Sequence, residues 1–314
     1  MSRHPRRASS SDLLVLSAIC VWSVNVIVVK VALDAVDPLV YTAARFVLGG
    51  TLLLSVVRLR RSESGRPPLR DLGAMALAGL FGIAANQTAF TVSLRYTTAV
   101  DVSLILGATP LVVAAYGALR SSERIGARAW SGMLVGAAGL VLVVAAGGGA
   151  HGQIGGDLIA LGAPLVWAFY VTRLVDLLPR YQPLVLSGWV TILGALPLVP
   201  VAAAQAATAP PRLSWQLLGF FAFSTVMAVG YCNLAFYIGL EHLGATRAAV
   251  YGYLQPFLGA VVAFLALGET LRPLQLAGGV VVIAGVVLGR PRPAPVAALQ
   301  APVPAPNPAL AEPA

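Results

Sequence analysis

A helical hairpin that occurs twice constrains this chain more than any other feature. Residues 249–285 hold an apolar run of helix length containing Pro256, a short turn carrying Glu269 and Arg272, and a second apolar run. Residues 103–139 repeat that plan: at a constant offset of 146, Pro110 falls on Pro256, Glu123 on Glu269, Gly132 on Gly278 and Gly139 on Gly285. Two more stretches repeat. DLLVLSAICVWSVNV (12–26) aligns without gaps on DLIALGAPLVWAFYV (157–171) at an offset of 145, and NQTAFTVSLRYTTA (86–99) on CNLAFYIGLEHLGA (232–245) at 146. A segment that is half of a repeat belongs to the mature fold. The apolar run 13–29 therefore reads as a permanent helix and not as a cleaved leader.

Composition sets the solvent in which the repeat folds. Apolar residues make up 58% and charged residues 11%, against about 25% charged in a soluble domain. Uncharged runs cover 72–94, 129–156, 181–211, 213–240 and 248–268, and a bilayer core takes about 20 apolar residues per helix. The expected class is an all-α polytopic membrane protein. Hydropathy places ten transmembrane helices at about 12–32, 38–57, 72–94, 98–119, 129–147, 156–175, 184–203, 214–240, 245–267 and 273–289. Five spans per half is an odd number, so the second copy enters from the opposite side. These are inverted five-helix repeats, a design of secondary transporters. The chain divides into a cytoplasmic tail (1–11), a first repeat (12–147), an external Gly-rich linker (148–156), a second repeat (157–289) and a Pro/Ala-rich cytoplasmic tail (290–314) that reads as disordered.

Charge orients the bundle. With the N-terminus inside, sixteen arginines fall in cytoplasmic segments, and only Arg95, Arg212 and Arg272 fall outside. An even number of spans puts the C-terminus inside too. The net charge of +9 is this bias and not a nucleic-acid footprint, because the arginines sit between apolar runs. Cys20 and Cys232 lie within apolar runs, and His4, His151 and His242 are scattered, so neither a disulfide framework nor a metal site is expected. The linker lacks G-K-[ST] and the only lysine is Lys30, so no ATP-binding loop is expected. No nucleophile–base constellation is visible, and neither an enzyme nor a cofactor is expected.

Ten spans, two inverted halves, Trp22-x-x-Asn25 in the first span and the Pro-to-Glu hairpin closing each half together resemble the EamA-type branch of the drug/metabolite transporter superfamily. The resemblance covers 12–289. It implies two halves around a central cavity, and export or exchange of small metabolites, often amino acids or related compounds, by alternating access. The place implied is the cytoplasmic (inner) membrane. The partners implied are the lipid bilayer and a small-molecule substrate, with a homodimer left open.

Several residues could carry that chemistry. Pro110 and Pro256 remove a mid-helix hydrogen bond and free the carbonyls of Leu106 and Gly252, which bends a cavity helix or makes a static kink. Glu123 and Glu269 sit in turns just before a helix, where a carboxylate favours the positive helix end; proton coupling is the sharper alternative. An aromatic and amide set is expected to line the pocket: Trp22, Asn25, Asn86, Gln87, Trp167, Tyr170, Tyr231, Asn233, Tyr253 and Gln255. Amides in hydrocarbon face partners or a cavity. Lys30 and Arg45 are the costly cations within spans. They could contact a carboxylate or phosphate, snorkel, or pair with Asp34, Asp37 or Asp101. Asp101 and Arg247 occupy equivalent repeat positions with opposite charge, as gate residues or interfacial anchors. Gly132 and Gly136 form a small-xxx-small pair that reads as close helix packing. Two other readings stand beside metabolite export: exchange of a sugar nucleotide or phosphate ester on Lys30 and Arg45, and a scaffold or binding subunit that does not transport.

Overall fold

The computed structural model describes residues 10–59, 67–120, 127–146, 151–252, 254–270 and 272–289. In lipid every backbone polar group must be satisfied within the protein, which leaves uncharged runs of this length the helix. Among the described residues every regular element is a helix. Seven helical stretches are long and apolar enough to cross a membrane: Ser10–Ala32, Pro38–Leu59, Leu69–Tyr96, Ala99–Gly117, Gln153–Leu177, Pro183–Thr208 and Trp215–Leu243. Three shorter apolar helices, Trp130–Val143, Leu254–Leu267 and Pro273–Gly285, accompany them. The outward faces are apolar, with Leu134, Leu165 and Leu265 all exposed. Such a surface suits hydrocarbon as its solvent.

The helices, in order, are α1 (Ser10–Ala32), α2 (Pro38–Leu59), α3 (Leu69–Gly79), α4 (Asn86–Tyr96), α5 (Ala99–Leu106), α6 (Thr109–Arg120), α7 (Ala127–Ala146), α8 (His151–Leu177), α9 (Pro183–Ala195), α10 (Val199–Thr208), α11 (Trp215–Phe223), α12 (Cys232–Tyr251), α13 (Leu254–Leu267) and α14 (Pro273–Gly289). Pro38, Pro183 and Pro273 open their helices, where the missing N–H costs nothing. The hydroxyls of Thr98 and Ser214 cap α5 and α11.

Four interruptions matter for function. π-helical turns at Leu80–Ala85 and Ser224–Tyr231 join α3 to α4 and α11 to α12. The fourth span breaks at Gly107–Ala108, and α12 ends before Gly252. Both breaks precede prolines. Pro110 and Pro256 stand in the first turns of α6 and α13, where the sequence places them in mid-helix. A proline at 256 cannot bond to the carbonyl of Gly252, so the helix stops there and not near 240–245, where hydropathy divides the spans. The two freed carbonyls find local donors: the Thr109 hydroxyl reaches Leu106 O at 2.6 Å, and the Gln255 N–H reaches Gly252 O at 3.2 Å.

α1 packs on α12, α4 on α8, α2 on α9, α5 on α13 and α7 on α14. The α7–α14 pair is the most intimate. A Cβ on Gly139 would stand 2.5 Å from Val282 N and 2.7 Å from Gly278 O, and one on Gly285 would stand 2.6 Å from Gly132 O and press on Gly136. Early residues of one helix thus meet late residues of the other, and the two run antiparallel. The Gly132 and Gly136 pair is buried in this seam.

Candidate functional site

Between the packed pairs lies a cavity with about 1140 Å3 of empty space, its open mouth included. α1 contributes Ile19, Trp22, Asn25 and Val26, and α2 contributes Arg45 and Phe46. The π turn and α4 add Ile83, Asn86, Gln87 and Phe90; α8 adds Trp167 and Val171; the second π turn and α12 add Ala228, Val229, Asn233, Phe236 and Leu240. Leu106, Thr109 and Val113 line it beside the first helix break, and Gly252 and Gln255 beside the second. Helix i, i+3 and i+4 spacing puts these positions on one face of each element.

Trp22 and Trp167, equivalent positions of the repeat, meet edge to face with centroids 6.1 Å apart. Phe236 lies 5.5 Å from Trp22 and 5.8 Å from Trp167, which closes an aromatic cluster. Such contacts contribute about 0.5–1.5 kcal/mol each beyond area burial. Trp22 is also fixed by its indole N–H, which donates to Ala228 O at 3.0 Å. That carbonyl belongs to a π turn, a backbone variant that recurs at functional sites.

A polar chain adjoins the same cavity. Arg45, 1% exposed, donates from Nη1 to Ser224 Oγ at 3.0 Å and from Nη2 to Gln87 Oε1 at 2.8 Å. Ser224 donates onward to Asn25 Oδ1 at 2.7 Å. Gln87 donates to Asn86 Oδ1 at 2.8 Å, and Asn86 to Ala163 O at 2.9 Å. The guanidinium lies 5.4 Å from the Tyr41 ring centroid and 4.9 Å from that of Phe46. A second polar group is left over: the buried Asn233 Nδ2 has no hydrogen-bond partner. Phe46 carries no distinguishing sequence mark, Phe90 and Phe236 are matched repeat positions, and all three enter through their place on the cavity wall; Ser224 enters through its bonds to Arg45 and Asn25.

Seven of the ten aromatic and amide candidates line the cavity: Trp22, Asn25, Asn86, Gln87, Trp167, Asn233 and Gln255. Tyr170 stands behind the wall, its hydroxyl 2.6 Å from that of Tyr237. Tyr231 ties to Ser17 Oγ at 2.5 Å. Tyr253 and Glu123 lie outside the described residues, as do the tails 1–9 and 290–314 and linker residues 148–150, and the side chain of Arg247 is not described.

Lys30 is not on the cavity wall. Its ammonium donates to Leu94 O and Thr97 O, 2.6 Å each, at the end of α4, where a cation favours the helix C-terminus. Asp101, fully buried, accepts from Thr98 Oγ1 at 2.8 Å and Gln275 Nε2 at 2.6 Å. Asp37 accepts the Leu39 N–H at 3.0 Å. Glu269 caps a helix other than the one that follows it: its carboxylate accepts the N–H groups of Ala99 at 3.1 Å and Val100 at 2.9 Å, opening α5. Gly268, at φ 66°, makes the turn that aims it there. Thr97 donates to Asp157 Oδ1 at 2.6 Å. These contacts knot together one end of the bundle.

The model of the EamA-like transporter family matches residues 9–145 and again 154–289. A protein of Archaeoglobus fulgidus named an uncharacterized transporter is 28% identical over 286 residues, 89% of this chain and 97% of its own length. A probable terminal-alkyne amino-acid exporter of Streptantibioticus cattleyicolor is 30% identical over 228 residues, 71% of this chain and 74% of its own. A probable amino-acid metabolite efflux pump of Salmonella typhimurium is 28% identical over 289 residues, 88% and 93% of the two chains. One solved crystal structure superposes with a TM-score of 0.64 at 20% identity, covering 89% of this chain and 96% of that one, a likeness of fold.

Proposed function

The chain belongs to the EamA-like transporter family, and from that premise we propose that it is a secondary transporter exporting a small organic metabolite, an amino acid or related compound, across the cytoplasmic membrane by alternating access. The observation that carries this reading is the meeting of Trp22 and Trp167, repeat equivalents, on the wall of one cavity. A pocket built from matching positions of two halves can be offered to either side as the halves rock. Two of the relatives bear names of amino-acid exporters or efflux pumps, which supports the substrate class.

Ten spans as two inverted repeats best account for the packing. The pairs α1–α12 and α8–α4 exchange under the repeat, as do the glycine contacts of α7 and α14, whose antiparallel course is that of inverted copies. On the arginine bias, both termini face the cytoplasm and the knot around Glu269 faces outward. Leu240, Val113 and Ile19, on the cavity wall, then lie toward the cytoplasm, so the conformation described is closed outside.

Counterflow in proteoliposomes across a panel of apolar and aromatic amino acids and their derivatives tests the reading. At least one panel member should show saturable exchange that Trp22→Ala and Trp167→Ala reduce at least tenfold. Absence of saturable transport of every member overturns it. The scaffold reading predicts binding without exchange.

A further inference from the structure

We propose that Arg45 is the substrate's anion site: the transported molecule carries one carboxylate that the guanidinium receives, with an apolar body against Trp22, Trp167 and Phe236. This rests on the transport reading above and names the class of molecule within it.

The first observation is charge. Among the described residues lining the cavity, Arg45 is the only ionisable group. It makes no ion pair among the described residues; Ser224 Oγ and Gln87 Oε1, both neutral, take one N–H from each terminal nitrogen. A guanidinium has five N–H donors, and Nε is buried without a partner. Taking an ion out of water is costly unless a counter-ion meets it, and this one is 1% exposed. The arriving carboxylate would be that counter-ion, and each terminal nitrogen keeps one N–H to give it.

The second observation is symmetry. At an offset of 145, Pro38-Leu39-Val40 fall on Pro183-Leu184-Val185, and Arg45 then falls on Val190. Val190 is fully buried in an apolar cluster. The same place in the same fold therefore accepts valine, and packing does not require a cation there. Trp22 and Trp167, by contrast, are kept in both halves. The charge was placed in one half only, beside the cavity that both halves share.

The third observation sets the number of charges. The exchange reading for sugar nucleotides or phosphate esters needs Lys30 as a second cation, but Lys30 points to Leu94 O and Thr97 O away from the cavity. One guanidinium balances one carboxylate and leaves a phosphate dianion half uncompensated. The described cavity wall offers no carboxylate to an ammonium. An amine on the substrate meets only aromatic faces and amide oxygens, and the site does not demand one.

The test uses the full-length protein in nanodiscs, read by thermal stabilisation and by quenching of its tryptophan fluorescence. The probes are phenylalanine, leucine and methionine, each with its carboxamide, its N-acetyl derivative and the matching arylalkyl or alkyl phosphate. The acid should bind at least tenfold more tightly than its carboxamide, the N-acetyl acid should bind within a few-fold of the free acid, and the phosphate should bind more weakly than the acid. Arg45→Gln should abolish the acid-over-amide preference, and Arg45→Lys should keep most of it. If the wild type binds acid and amide alike, or Arg45→Gln retains the preference, the assignment of Arg45 fails while the transporter reading stands. Should Arg45→Gln not fold, the wild-type comparison of acid with amide decides alone. If no probe binds, both readings fail.

Discussion

Trp22 and Trp167 look interchangeable in the sequence, and the structure separates them. The Trp22 indole donates to Ala228 O, whereas among the described residues no such bond holds Trp167, which packs on Tyr170 at 4.9 Å and on Phe236. Phenylalanine keeps an aromatic face in either position, but at 22 it strands a carbonyl at a π turn. Trp22→Phe should therefore cost about 1 kcal/mol more stability than Trp167→Phe, measured by thermal unfolding in detergent. Equal costs would mean that the Trp22 bond contributes nothing. The repeat made this pair legible, because two tryptophans at a fixed offset stand out. It also matches Phe90 with Phe236, but it gives no sign of Phe46, and in a chain that is 58% apolar a phenylalanine facing a cavity is spelled like one facing lipid. Arg45 was legible as costly, but nothing in the sequence said whether it faced lipid headgroups, an aspartate or a pocket. Its bonds to Ser224 and Gln87 join residues far apart in the chain.

At the scale of elements, the helices themselves were readable because bilayer thickness fixes their length, while their interruptions were not. The π turns Leu80–Ala85 and Ser224–Tyr231 lie in runs with no proline to announce them. The Pro-to-Glu hairpin is plain in the sequence, where its glutamate stands in the turn just before the helix that follows. Glu269 instead reaches across to α5 in the other half of the chain, a contact set by tertiary packing of α13 on α5 and invisible to local patterns. Capping carboxylates contribute about 1 kcal/mol, so Glu269→Ala should shift the equilibrium toward opening at that end about fivefold. A variant with Cys20 and Cys232 replaced and one cysteine introduced at Ala99 reports this directly. With the orientation proposed above, its labelling by a membrane-impermeant thiol reagent from outside should rise several-fold when Glu269 is also alanine. Unchanged labelling would show that the cap does not hold the outer end shut.

At the scale of the whole molecule, the proposed transport by rocking halves would need a seam that stays fixed while the cavity helices move. The α7–α14 pair suits that role. It stands apart from the cavity wall, and its backbones approach so closely that glycine is required on both sides. Gly132, Gly139, Gly278 and Gly285 meet across it as an exchanged set, the contact pattern that the proposed inverted repeats would give. Sequence spacing marks Gly132 and Gly136 as a packing pair and the repeat sets Gly132 on Gly278 and Gly139 on Gly285, but which helix they meet is decided by the fold. A Cβ at Gly139 meets backbone atoms of α14 at 2.5–2.7 Å, and backbone cannot swing aside as a side chain would. Gly139→Ala should cost about 1–3 kcal/mol and lower the unfolding temperature. Gly219→Ala, with nothing within 4 Å, should be neutral or stabilise by about 0.5–1 kcal/mol through lost unfolded-state freedom. The seam lies away from the cavity wall, so on the proposed reading Gly139→Ala protein that survives purification should exchange its substrate with an unchanged KM and a reduced amount of active transporter. A Gly139→Ala variant as stable as Gly219→Ala would mean that α7 and α14 stand apart in the bilayer, and the fixed seam would have to be sought elsewhere. A raised KM would place that seam among the moving parts.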